Sequence, residues 1–152
     1  MRSPAARPDD ASAAIDLIRA DPPKDMPNSA EMLQSLQQTM ADDVGPLRNA
    51  GSLGRGLGRI DQLNATLGDR PFGDAGSFDM QRLDWFDLRN MLTVARAVAQ
   101  AALARTESRG AHQREDFPEM LPQWRVNQVI RLRGEGLDIT QSPASSLEAA
   151  AQ

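Results

Sequence analysis

Between Arg105 and Pro118 the chain packs three arginines, three carboxylates and its single histidine into 14 positions, Arg105-Thr106-Glu107-Ser108-Arg109-Gly110-Ala111-His112-Gln113-Arg114-Glu115-Asp116-Phe117-Pro118. Two kinds of chemistry are open to such a set. Glu107, His112, Glu115 and Asp116 are ligand types for one metal ion, and His112 beside a carboxylate is an acid–base pair, which together would suit a small metal-dependent hydrolase. The arginines and carboxylates can instead form an ion-pair network, a commoner use of such groups than an active site. The spacing matches no metal motif, and a helix C-terminus attracts arginine and histidine electrostatically. The segment reads first as a structural or docking element.

A second run, Gly51-Ser52-Leu53-Gly54-Arg55-Gly56-Leu57-Gly58-Arg59, has the glycine content of a phosphate-binding loop. It fails in detail: no G-x-G-x-x-G register fits, no Gly-Lys-Ser/Thr follows, and no strand is expected before it. Composition removes most other chemistry. With no cysteine there is no disulfide, thiolate zinc site or iron–sulfur ligation within this chain, and one histidine excludes any two-histidine constellation. The net charge of −4 argues against a nucleic-acid or anionic-membrane surface. Lys24 is the only lysine among 17 basic residues, so the positive groups are guanidiniums suited to bidentate carboxylate contacts. No apolar run reaches the roughly 20 residues a membrane span needs, and Met1-Arg2-Ser3-Pro4 is followed by no apolar signal-peptide core, so a cytoplasmic protein is expected.

The elements that must position these residues are helical. Residues 1–28 hold five of the ten prolines and read as a lead-in or linker, within which Asp9-Asp10 can open a short helix carrying Ile15 and Ile18 and ending at Asp21-Pro22-Pro23. A helix is expected from Asn28 or Ser29, with Asn28 and Glu31 at capping-box spacing and a stripe of Leu33, Leu36, Met40, Val44 and Leu47, broken by Gly45-Pro46. A second runs from Asn49 to Leu67 on Leu53, Leu57, Ile60, Leu63 and Leu67, each of its glycines costing about 1 kcal/mol against alanine. A third runs from Ser77 or Asp79 to Thr106, with Met80, Leu83, Phe86, Leu88, Met91, Leu92, Ala95, Val98, Ala99, Ala102 and Leu103 as its apolar set. Its alanines leave room for close approach of a neighbouring backbone. The expected fold is mainly α: an antiparallel, spectrin-repeat-like three-helix bundle over residues 29–107. The charged segment and a β-hairpin turning at Arg133-Gly134-Glu135-Gly136 complete the same domain over 108–142, and 143–152 form a flexible tail.

The run Glu107-Ser108-Arg109-Gly110-Ala111-His112-Gln113-Arg114-Glu115-Asp116-Phe117-Pro118 resembles the E-S-R-G-A-H-x-R-x-D-[FY]-P signature of fumarate reductase and succinate dehydrogenase flavoprotein subunits. Leu36-Gln37-Gln38-Thr39-Met40, Val44-Gly45 and Arg48 resemble the entry to that family's C-terminal helical domain, and Asn90-Met91-Leu92 and Ala101-Ala102-Leu103-Ala104-Arg105 the run before the signature. L-aspartate oxidase shares this domain and is the related alternative; an independent helical interaction module is the rival from another class. The resemblance implies that the flavin and the dicarboxylate-handling residues lie outside this chain. It would itself hold no catalytic, cofactor or metal residue and be inactive alone. FAD is implied for the parent enzyme. The implied partners are an upstream flavin domain and an iron–sulfur subunit, with peripheral attachment at the inner membrane through partner subunits. Glu107, Ser108, Arg109, Gly110, His112, Arg114 and Asp116 would form the signature loop at the interface with the flavin domain. An arginine-rich or apolar face left open there could support self-association.

Overall fold

The computed structural model describes residues 8–74, 76, 78–134 and 136–144. The chain is mainly helical with a C-terminal hairpin, as the patterning requires. The lead-in forms α1 (Pro8–Arg19), which stops ahead of Pro22-Pro23. Leu17, rather than the exposed Ile15 and Ile18, is the residue that packs against the core. Arg82 ties down the end of α1 by donating to the carbonyls of Ile18 and, at 2.8 Å, Ala20. The lead-in is therefore attached to the helical body.

In α2 (Ser29–Asp43) the Asn28 side chain accepts from the N–H groups of Ala30 and Glu31, and its amide donates to the Glu31 carboxylate at 3.1 Å. First-turn donors that a helix leaves orphaned are thereby satisfied. The buried face is Met32, Leu36, Thr39 and Asp43, with Leu33 and Met40 at its edge. This corrects the expected stripe. The helix ends at Asp43, so Leu47 falls beyond it and is 72% exposed.

Leu47 and Arg48 form a short strand, β1, followed at once by α3 (Ala50–Leu67). The expectation that no strand precedes the glycine-rich run is thus wrong. The run is nevertheless helix interior. Asn49 and Ser52 form a capping box, Ser52 N–H donating to Asn49 Oδ1 at 2.9 Å and Asn49 N–H to Ser52 Oγ at 3.1 Å. Gly56 has a packing reason: a Cβ there would lie 3.0 Å from Val44 Cγ2 and 3.1 Å from Asp43 Cβ. Across this close approach Arg55 and Arg59, one helical turn apart, both reach the buried Asp43 carboxylate, at 3.1 and 2.9 Å. The glycine–arginine pattern is thus a fastening between α2 and α3.

The long helix α4 (Met80–Ala104) begins at an Asp79 cap. Its buried face is Arg82, Trp85, Leu88, Leu92, Ala95, Ala99 and Ala102. Met80, Leu83, Met91 and Val98, expected inside, lie on the exposed side. The apolar set spans two faces, because Arg82 and Trp85 carry polar groups that an apolar stripe does not count. Trp85 Nε1–H donates to the last carbonyl of α3, on Leu67, at 3.2 Å, and the terminal nitrogens of Arg82 donate to backbone carbonyls. Helices α2, α3 and α4 pack on one another pairwise, and their facing residues make the core.

Beyond α4 come β2 (Gln113–Arg114), a short 3₁₀ turn (Pro122–Trp124), and the hairpin β3 (Val126–Arg133) and β4 (Gly136–Pro143). The hairpin runs in register from Val126 opposite Pro143 to Arg133 opposite Gly136. Gly134 takes the left-handed φ of 58° that a two-residue hairpin turn needs. The expected tail lies, from residue 145 onward, outside the described residues. Among the described residues no helix is long and apolar enough to cross a membrane.

Candidate functional site

The signature segment folds against both the start of α3 and the end of α4. A parallel two-residue ladder pairs Leu47 with Gln113 and Arg48 with Arg114, and flanking bonds run from Gln113 N–H to Pro46 O and from Glu115 N–H to Arg48 O. Arg109 and His112 exchange backbone hydrogen bonds of 2.8 and 3.0 Å around Gly110-Ala111. Gly110 sits at φ 58° with open space where a Cβ would be, so the turn needs glycine for its backbone angle and not for room.

Two carboxylates organise the charges. Glu107, with no exposed surface, accepts from Arg109 Nε at 2.8 Å, Arg105 Nε at 2.9 Å and the backbone N–H of Leu121 at 2.9 Å. These bonds, the one from Arg109 first, outweigh the burial that opposes ionisation and hold its pKa down at about 2. Arg114, 2% exposed, makes a bidentate pair with Asp116 at 2.7 and 2.8 Å. Its third nitrogen donates to the carbonyls of Ala102, Leu103 and Arg105 at 2.9–3.0 Å. A side chain from beyond the helix thereby caps the end of α4. Asp116 also accepts from Ala50 N–H, at 2.9 Å, at the start of α3, and the Arg114 pair keeps its carboxyl well below the usual carboxylate range. One ion pair thus joins the C-terminus of α4 to the N-terminus of α3.

The remaining signature residues complete the same structure. Ser108 Oγ accepts from Arg114 N–H at 2.8 Å and donates to the Phe117 carbonyl at 2.9 Å. Glu115 takes a bond from the Asn49 side chain at 2.7 Å. His112 Nε2–H donates to the Arg105 carbonyl, and burial pushes its pKa down, with the charges of Arg48, Arg105 and Arg114 acting in the same direction. Arg105 lies over the Trp124 ring, 5.3 Å from its centre, and bonds the carbonyls of Trp124 and Val126, which fixes the hairpin to the loop.

Glu107, His112, Glu115 and Asp116 do not converge on a metal: each faces its own partner, and no group of three such ligands suited to an ion occurs among the described residues. Nor is Ser108 paired with a base. The start of α3, where a phosphate would be sought after β1, is already occupied by the Asp116 carboxylate and the Asn49 side chain. Among the described residues the two sheets have two strands each, and the parallel pair β1–β2 is joined through two helices, α3 and α4, and not through the single helix of a dinucleotide-binding β-α-β unit. Sequence reasoning missed two participants. Arg48, seen only as part of a family pattern, reaches the loop through the ladder, and Arg105 organises both Glu107 and the hairpin. Arg105 is visible as a member of the charged cluster beside Glu107, but its bonds to Trp124 and Val126, like the pairing of Arg48 with Arg114, join segments far apart in the chain.

Comparison with known proteins agrees with this arrangement. The family described as Fumarate reductase flavoprotein C-term matches residues 33–145. The chain is 42% identical over 106 residues, 70% of its length, to a Fumarate reductase (CoM/CoB) subunit of Methanothermobacter marburgensis. It is 37% identical over 114 residues, 74% of its length, to the Succinate dehydrogenase flavoprotein subunit of Coxiella burnetii. L-aspartate oxidases are also among its relatives. The chain spans 19% of the length of each of the first two. Its fold superposes on the Mycobacterium smegmatis Sdh1 complex in the apo form with a TM-score of 0.77 at 30% identity, covering 95% of this chain and 25% of that one. The loop that locks α3, α4 and the hairpin together is the segment that carried the resemblance, and the chain belongs to the fumarate reductase flavoprotein C-terminal family.

Proposed function

We propose that this chain is the docking end of an FAD-dependent flavoprotein of the succinate dehydrogenase/fumarate reductase type. It packs against a flavin domain that interconverts succinate and fumarate by hydride transfer to or from flavin. The observation that carries the reading is the signature loop itself. Its two paired carboxylates, the buried Glu107 and the more open Asp116, are each spent on arginines and backbone donors, an arrangement suited to holding a shape and not to moving protons. The chain's own part in the reaction is then positional: it braces the flavin domain and binds neither flavin nor substrate. An iron–sulfur partner and peripheral membrane attachment through partner subunits belong to the same reading.

Two measurements test it. Co-expressed with the flavin domain of its flavoprotein, the chain should elute with it as one complex in size-exclusion chromatography; separate elution would refute docking. Purified alone, the chain should be colourless, and a stoichiometric flavin spectrum would overturn the division of labour. The presence of L-aspartate oxidases among the relatives supports one alternative, an L-aspartate oxidase parent. Turnover of succinate against L-aspartate by the assembled protein separates the two.

A further inference from the structure

Arg48 differs from the other arginines of the loop. Its backbone is fixed in the β1–β2 ladder opposite Arg114, yet its Nε is buried without a hydrogen-bond partner. No ion pair reaches its guanidinium among the described residues. Burial and then the charge of Arg114 weaken its hold on its proton. Glu107 is taken by Arg105 and Arg109, Asp116 by Arg114, and Glu115 is bonded to Asn49, so no carboxylate of the loop pairs with Arg48. Arg48 lines an open groove with Arg105, Arg109 and His112, whose apolar walls include Val98 and Val126.

This groove is continuous with an exposed apolar face. Met91, Val94 and Val98 recur at helical spacing on the outer side of α4 and are all exposed, and the exposed Asp87 separates them from Leu83 on the same face. From Met91 to Val98 the uninterrupted apolar stretch runs for about 10 Å. An apolar ridge ending in a surplus of guanidinium charge fits a polypeptide with an apolar surface and a carboxylate at one end, and is too long for a small anion. The chain accounts for 19% of the length of its relatives, which leaves the rest of a flavoprotein to supply that surface.

We infer that the groove receives an aspartate or glutamate side chain of the flavin domain, seated on Arg48, while the same domain covers the outer face of α4. The inference rests on the docking reading above and names the contact that gives it specificity. A partly buried guanidinium that meets its carboxylate only in the complex favours the right partner and penalises an apolar surface lacking one.

The test measures affinity between the 152-residue chain and the FAD-loaded flavin domain of its flavoprotein by titration calorimetry at low and high salt. Arg48→Met keeps most of the aliphatic stem and removes the charge. It should weaken association at least about tenfold at low salt and remove much of the salt dependence. Arg48→Lys should recover part of the loss. The thermal midpoint of the free Arg48→Met chain should not fall, because the Arg48 side chain makes no hydrogen bond or ion pair among the described residues. Wild-type affinity in Arg48→Met would overturn the inference while leaving docking intact, and a clear drop in the free chain's midpoint would reassign Arg48 to folding. No association of the unmutated chain would sink the docking reading itself.

Discussion

A guanidinium carries five N–H donors in a rigid fork, and Arg114 spends its own on Asp116 and on three carbonyls at the end of α4. Removing it would orphan a partly buried carboxylate and those carbonyls together. Arg114→Met should therefore cost about 3–5 kcal/mol of unfolding free energy, measured by urea denaturation of the chain. Arg114→Lys should recover little, because an ammonium cannot reproduce both the fork on Asp116 and the cap. Glu107 makes a pH prediction. Its pKa lies at about 2 in the folded chain against an ordinary 4.5, so its contribution is fully present above pH 4.5 and is lost as pH falls from 4.5 toward 2. Asp116 is shifted in the same direction and adds to the acid sensitivity. The thermal midpoint should fall through that window, and Glu107→Gln should be less stable near neutrality but flatter in acid. A midpoint in Glu107→Gln that falls as steeply as in the unmutated chain would remove Glu107 from the account.

At the level of elements, the glycines of α3 divide by what surrounds them. Gly54 and Gly58 have open space where a side chain would begin, whereas Gly56 faces Val44 and Asp43 at 3.0–3.1 Å. Gly54→Ala and Gly58→Ala should each stabilise by about 0.5–1 kcal/mol through helix propensity. Gly56→Ala should destabilise by about 1–2 kcal/mol by pushing α2 away, and with it Asp43 from Arg55 and Arg59. Chemical denaturation of the three variants checks the sign at each. The same contrast shows what was legible in the sequence. Helix starts were readable because Asn28, Asn49 and Asp79 cap through atoms within three residues. The hairpin was readable from its glycine turn. The inner face of α4 was not, because Trp85 and Arg82 are buried by bonds to Leu67, Ala20 and Gly73, partners the local pattern cannot supply. For the same reason the segment 105–118 was legible as a charged cluster and, by resemblance, as a family signature, while its pairing was not. Asn49 and Glu115 meet across 66 residues of chain, as do Ala50 and Asp116.

For the whole molecule, Glu107 and Arg114 are buried at the centre of the loop and a second, apolar strip of α4 stays exposed, so chemistry done elsewhere should feel this chain through shape. In the full flavoprotein, Arg109→Ala should lower flavin content or loosen domain association more than it changes the KM for substrate. Arg109 touches Glu107 and the Leu121 carbonyl, both parts of the loop. Flavin content by absorbance and steady-state kinetics on one preparation decide this: full flavin with only a raised KM would contradict it. The parallel ladder between β1 and β2 has a further consequence. It joins residues either side of a stretch that contains α3 and α4 entire, and such a long-range closure is entropically costly until the intervening helices have folded. The ladder should therefore be among the last contacts made and the first released in native-state hydrogen exchange. Arg48 is held in that ladder, so the partner would meet a surface completed at the end of folding, and an unfinished chain would present no place to bind.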